Sequence, residues 1–240
     1  MMNARGRTVL MGRAVAGAGF LALLAFALPD AAPAQTGGRI TGTVTFVGTL
    51  PEDPPHKTKK DQEVCGATVP SETYLIGANK GIKNVVLTVE GPPAQQTAAK
   101  AVLDNNKCHF VPHVQAVVAG TEIEVRNSDP VLHNTHSYLD KRTVFNLALP
   151  LQGQKIRRKL SKPGIVEVKC DAHDWMRGWI VVREHPYFGV SEANGAYRIE
   201  NVPPGKYKLT AWHEALGSVT KEVTVPAVGT VQVDFQLRKR

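Results

Sequence analysis

From Arg39 to Val47 the chain sets Ile40, Gly42, Val44 and Phe46 against threonines, the period-two alternation of a half-buried strand. Similar short runs follow at Lys83–Glu90, Ala101–Asp104, Val114–Val118, Thr121–Asn127, Leu132–Tyr138, Val144–Leu149, Ile156–Leu160, Ile165–Cys170 and Trp179–Arg183. Turn-forming clusters punctuate them: Gly91-Pro92-Pro93, Ala119-Gly120, Asn127-Ser128-Asp129-Pro130 and Lys162-Pro163-Gly164. Helical periodicity is almost absent. Strands this short and this evenly spaced predict an all-β chain, folded as an antiparallel sandwich or barrel.

A break falls at His185-Pro186. Beyond it Asn194-Gly195 is a hairpin signal, and alternating runs follow at Ala196–Ile199, Lys206–Trp212, Ser218–Val225 and Thr230–Leu237. The stretch G-A-Y-R-I-E-N-V-P-P-G-K-Y-K-L-T-A from Gly195 to Ala211 resembles the carboxypeptidase-regulatory-like module, a small transthyretin-like sandwich. The resemblance covers about the last 50 residues and implies a fold without implying a function. Two domains are expected, 37–184 and 185–240, packed closely because their connection is short.

The amino terminus reads as a leader, residues 1–34. Arg5, Arg7 and Arg13 precede the apolar run Ala14–Leu28, and Ala32-Pro33-Ala34 supplies a small-residue cleavage signal before Gln35. A run of this length falls short of the roughly 20 residues a spanning helix needs. A secreted or periplasmic destination is therefore expected, with no stable membrane span after cleavage. Losing three Arg and one Asp with the leader lowers the net charge from +8 to +6. The basic runs at 57–60, 157–159 and 238–240 lie far apart, and no nucleic-acid motif accompanies them. They read as solvated faces or a docking surface for an acidic protein.

Candidate chemistry concentrates in Cys170-Asp171-Ala172-His173-Asp174-Trp175-Met176. Met176 is the one methionine beyond the leader, three residues after a histidine that stands three after a cysteine. Thiolate, imidazole and weak thioether are the donors of a blue-copper site, which needs one more imidazole. His133, at the start of a strand and after the Asn127–Pro130 turn, is the candidate. Zinc fits less well, since thioether is a poor zinc ligand and no Cys or His pair has finger spacing.

The segment resembles the cupredoxins, and among them the amicyanin-like loops that read C-x-x-H-x-x-M-R-G before a valine-rich strand. Here stand Cys170, His173, Met176, Arg177, Gly178, Ile180, Val181 and Val182. The resemblance runs roughly from Ala116 to Arg183; residues 50 to 110 depart from it. It implies a Greek-key sandwich holding one copper ion through His133, Cys170, His173 and Met176. It further implies that Asn134 steadies the cysteine loop, and that electrons leave through a surface-reaching His173 across an apolar rim that includes Trp175. The partner implied is a redox protein such as a c-type cytochrome or a periplasmic dehydrogenase.

A weakly held axial position with no open coordination site argues for an electron carrier and against an enzyme. Copper delivery and a non-redox interaction module are the alternatives. Strand alternation sends His136 to the face opposite His133. His109 and His113 are candidates for a second site with a carboxylate, or structural histidines; His56, His185 and His213 are weaker. Cys65 and Cys108, left over in an oxidising compartment, read as a disulfide, with two buried thiols as the alternative.

Overall fold

The computed structural model describes residues 37–77, 79–93 and 99–239, so the expected leader lies outside the described residues. Almost every regular element is a strand; one short helix spans Gln62–Cys65. The strands form two sandwiches. In the first, a five-stranded sheet runs in the order Arg142–Leu149, His133–Leu139, Gly164–Lys169, Arg177–Arg183, Val114–Val118. Its partner sheet runs Lys155–Lys159, Glu122–Asn127, Lys100–Asn106, His109–Val111. Leu103, Phe110, Ile123, Val125, Phe145, Leu147, Val168 and Ile180 close the core between them.

Most strand pairs are antiparallel, as expected, but Val114–Val118 runs parallel to Arg177–Arg183, and Lys100–Asn106 parallel to Glu122–Asn127. A parallel neighbour cannot be reached by a tight turn. These two pairs mark where the chain crosses the sandwich, giving the Greek-key connectivity.

The second sandwich corrects the expected boundary at residue 184. Gly38–Phe46, assigned by position to the first domain, pairs antiparallel with Ala196–Val202, Ile40 opposite Ile199. It also runs parallel to Thr230–Gln232 and Phe235–Leu237. Val86–Glu90 pairs with Gly205–His213 and Phe188–Val190. The carboxy-terminal sandwich therefore takes two strands from the amino-terminal part of the chain. Its core needs them: Ile40, Val44, Phe46, Leu87 and Val89 pack there against Ile199, Leu209 and Phe235.

The Asn194-Gly195 turn forms, with Gly195 N–H donating to the Glu192 carbonyl. The strands it joins go to different sheets, so the expected hairpin is absent. Glycine is required at 195 because φ is +79° and a Cβ would lie 2.3 Å from the Val44 carbonyl oxygen.

Along Arg177–Arg183 the alternation divides the side chains between two cores. Ile180 and Val182 point into the first sandwich; Trp179 and Val181 face the second, with Val86, Val114 and Trp212. The Trp179 and Trp212 rings meet edge to face, centroids 5.5 Å apart. A strand buried on both faces reads as an unbroken apolar run, as this one does.

Candidate metal centre

The two strands that flank residues 170–176 pair antiparallel, with Lys169 opposite Arg177. Seven residues must therefore turn the chain back within one hairpin mouth, which sets Cys170 and Met176 across from each other. Two backbone bonds close the turn: Met176 N–H donates to the His173 carbonyl at 3.0 Å, and Cys170 N–H to the Met176 carbonyl at 3.4 Å. On the other side of Gly164–Lys169 lies His133–Leu139, Lys169 opposite His136. His133, Thr135 and Ser137 point inward and are fully buried. This register carries the His133 imidazole to the cysteine.

Three donor atoms converge as a result. His133 Nδ1 lies 3.9 Å and His173 Nδ1 3.6 Å from Cys170 Sγ, and the two nitrogens are 3.0 Å apart. All three residues are buried, and Met176 is buried in the same core cluster as Cys170. Asn134 donates its backbone N–H to Cys170 Sγ at 3.4 Å, and its side-chain oxygen accepts from Asp171 N–H. The residue after His133 thus pins the residue after Cys170.

The outer nitrogens decide the protonation. His133 Nε2 lies 3.0 Å from Asp129 Oδ2, and His173 Nε2 lies 2.8 Å from Asp61 Oδ2. An ionised carboxylate only accepts, so each Nε2 donates to its carboxylate, and in the neutral ring each Nδ1 presents a lone pair. Two lone pairs facing at 3.0 Å beside a sulfur repel one another unless a cation or a shared proton stands between them. Burial lowers the pKa of His173, but hydrogen bonds to Cys170 and Asp61 outweigh it and leave the pKa raised. Triangle edges of 3.0–3.9 Å also suit one ion with the bond lengths of about 2.0–2.3 Å typical of imidazole and thiolate ligation. The donor set of two imidazoles, a thiolate and a nearby thioether fits copper.

Neither Asp61 nor Asp129 is marked in the sequence as an imidazole partner; Asp129 is legible there only as part of the Asn127–Pro130 turn. Asp129 sits in the turn four residues before His133, where Lys107 N–H and Cys108 N–H donate to it at 2.7 and 2.8 Å. Burial raises its pKa, but hydrogen bonds from His133, Cys108 and Lys107 prevail and hold the carboxyl below its usual range. Nothing local in the sequence distinguishes Asp61.

Asp61 also corrects the expectation that His173 reaches the surface. The imidazole has no exposed area. The segment that departs from the cupredoxin pattern folds back here, with Lys59 paired to Asp174 at 2.7 Å and Cys65 bonded to Cys108, Cα atoms 5.5 Å apart. The Cys65–Cys108 disulfide is thus formed, and Cys170 is the free cysteine. Trp175 is half-buried, its ring 4.9 Å from that of His173 and its Nε1–H donating to the Cys108 carbonyl at 3.2 Å. It lines a cavity of about 340 Å³ together with Lys57, Lys59, Glu72, His113 and Arg177.

His136 faces away from the three donors and bonds Asp171 at 3.0 Å and Thr143 at 2.9 Å. His109 Nδ1 and His113 Nδ1 approach one Glu72 oxygen at 2.9 and 3.6 Å, and His113 Nε2 pairs with Glu214. Among the described residues, two groups bring three potential donors together: the one above, and Cys108, Asp129 and His133. In the second, Cys108 is spent in a disulfide. His109 and His113 belong to neither. The other three histidines are apart from the site: His56 is exposed, and His185 and His213 are buried with pKa values lowered by burial.

The carboxypeptidase regulatory-like domain family matches residues 181–238, which is the end of the Arg177–Arg183 strand and most of the second sandwich. No curated protein matches the chain. Among solved structures it is similar to a copper-containing nitrite reductase from Thermus scotoductus SA-01, at 22% identity and TM-score 0.32, over 40% of this chain and 25% of that one. The chain thus spans about a quarter of the enzyme's length. It is similar as well to a purple cupredoxin from Nitrosopumilus maritimus, at 22% identity and TM-score 0.31, over 35% of this chain and 99% of that one. A reduced amicyanin variant matches at 19% identity and TM-score 0.32, over 40% of this chain and 98% of that one. The architecture is all-β: a first sandwich with Greek-key connectivity, and a second that holds most of the stretch matched by the regulatory-like domain family.

Proposed function

We propose that this chain is a secreted or periplasmic protein that binds one copper ion and carries single electrons. The convergence of His133 Nδ1, Cys170 Sγ and His173 Nδ1 in a buried pocket beside Met176 carries the reading. Bound copper would supply one-electron exchange between Cu2+ and Cu+. The protein's part is to hold the donors in one arrangement for both states, through the hairpin mouth at 170–176, the Asn134 clamp and the two carboxylates on the imidazoles. A donor set that leaves no open coordination position disfavours bond-breaking chemistry there and argues against an enzyme. Among the described residues no helix is long and apolar enough to cross a membrane.

Electron exit needs a route past the sealed His173. Trp175 supplies it, its ring tilted against that of His173 on one side and lining a cavity with Lys57, Lys59, Arg177, Glu72 and Asp174 on the other. A redox partner of the c-type cytochrome or periplasmic dehydrogenase kind would meet the chain there, and the net charge of +6 beyond the leader favours an acidic one. The visible spectrum of the copper-loaded protein tests the reading. Intense Cu(II)–thiolate absorption, bleached reversibly by a reductant, is expected; Cys170→Ser should abolish it, His133→Ala should lose or open the site, and His136→Ala should leave it. A colourless copper-loaded protein would move the reading to metal delivery. Failure to retain copper would move it to an interaction module.

A further inference from the structure

Cys108 stands where three lines of contact to the copper ligands meet. Its backbone N–H holds Asp129, which holds His133. Its carbonyl holds the Trp175 indole, whose ring lies against His173. Its sulfur is bonded to Cys65, at the end of the Gln62–Cys65 helix that begins directly after Asp61. Asp61 in turn reaches His173 Nε2 at 2.8 Å.

Asp61 is placed with care. Its backbone is left-handed, φ +50° and ψ +38°, and its carbonyl accepts from Val64 N–H at 3.0 Å and Cys65 N–H at 2.8 Å. A non-glycine residue in that conformation persists where its surroundings hold it. Its side chain is 35% exposed and makes its hydrogen bond to a fully buried imidazole. The carboxylate therefore stands between His173 and solvent.

Resting on the copper reading above, we propose that Asp61 is a positioning residue for the metal centre. It is carried on a cover, residues 56–69, that the Cys65–Cys108 disulfide latches over His173. Asp61 fixes the His173 tautomer, with the proton on Nε2 and the lone pair of Nδ1 turned to the metal, and closes the imidazole edge to water. A hydrogen-bonded anion raises the basicity of a ligating imidazole, and its charge favours Cu2+ over Cu+. Asp129 does the same for His133 from inside the fold, so both imidazoles are held by carboxylates and the disulfide ties the two holders together.

Two measurements test this, one without copper. In the metal-free protein, His173 should resist carbethoxylation by diethyl pyrocarbonate. Asp61→Ala should raise its modification rate at least tenfold, and so should Cys65→Ser/Cys108→Ser where circular dichroism shows that the fold is kept. If that double variant does not fold, the Asp61 variants decide alone. In the copper-loaded protein, Asp61→Asn keeps an oxygen acceptor and loses the charge. It should leave the thiolate band in place and shift the Cu2+/Cu+ ratio at fixed potential about tenfold toward Cu+, a rise in midpoint of about 59 mV. A purely structural Asp61 would move stability and leave the midpoint alone. Wild-type modification of His173 in Asp61→Ala, or a wild-type midpoint in Asp61→Asn, overturns the proposal. Absence of a thiolate band in the wild-type protein would overturn the copper reading instead, and the modification experiment would still decide the role of Asp61.

Discussion

Replacing Asp129 with alanine removes one acceptor from three donors at the inner end of the site. Lys107 N–H, at 2.7 Å, belongs to an exposed residue and can turn to water. Cys108 N–H, at 2.8 Å, and His133 Nε2, at 3.0 Å, belong to residues with no exposed area and cannot. Leaving a buried donor without a partner costs about 1–3 kcal/mol, so the two together predict a loss of roughly 2–6 kcal/mol. Against a total stability of roughly 5–15 kcal/mol that is a large fraction. His133 has a partial escape, because moving its proton to Nδ1 relieves the stranded Nε2. The same move fills the lone pair that faces Cys170, so stability regained this way is lost again as copper affinity. Asp129→Asn should fall between wild type and alanine, since its single oxygen serves one donor while its amide faces the other. The assay is urea unfolding of the metal-free, disulfide-intact protein, followed by fluorescence from Trp175, Trp179 and Trp212 and read as a change in midpoint at constant slope. A loss in Asp129→Ala below about 0.5 kcal/mol, the range of neutral surface substitutions, would refute the claim that this carboxylate holds the His133 end of the site.

Reducing the Cys65–Cys108 disulfide, 43 residues apart, should lower stability by up to about 4 kcal/mol by the chain-entropy relation; equal urea midpoints with and without reductant would contradict this. Burial pushes His213 down to about 4, below the roughly 6.5 of an unfolded histidine. The unfolded chain therefore takes up its proton first, and stability present above about pH 6.5 is lost as pH falls through about 4, by about 3 kcal/mol. His113 works in the opposite direction. Burial lowers its pKa, but pairing with Glu214 and Glu72 outweighs this and leaves it raised, so its contribution is present in acid and lost as pH rises. His213→Gln should flatten the acid limb of the stability profile, and an unchanged limb would rule out this assignment. Trp175→Ala should slow electron exchange with an acidic partner at unchanged copper content, and raised salt should slow association as well; indifference to both would place docking elsewhere.

Local pattern determined much of this protein. Period-two alternation from Arg39 to Val47 or Ser218 to Val225 is a property of neighbouring residues, and it sets strand and facing without reference to the rest of the chain. The spacing of Cys170, His173 and Met176 is likewise local, since a hairpin loop of seven residues turns them toward one another with little choice. Even the separation of His133 from His136 follows from alternation alone. Tertiary structure decided what depends on distant pairing. Arg39 meets Glu200 across 161 residues, and the alternation that makes Gly38–Phe46 a strand is silent about which sheet it joins. The carboxylates show the same limit. Asp61 and Asp129 have no periodic signature, and the value of each comes from an imidazole 112 and 4 residues away, reached once the backbone and a disulfide have fixed the approach. The burial of His173 is decided there too, by a segment whose sequence gives no sign of where it folds back.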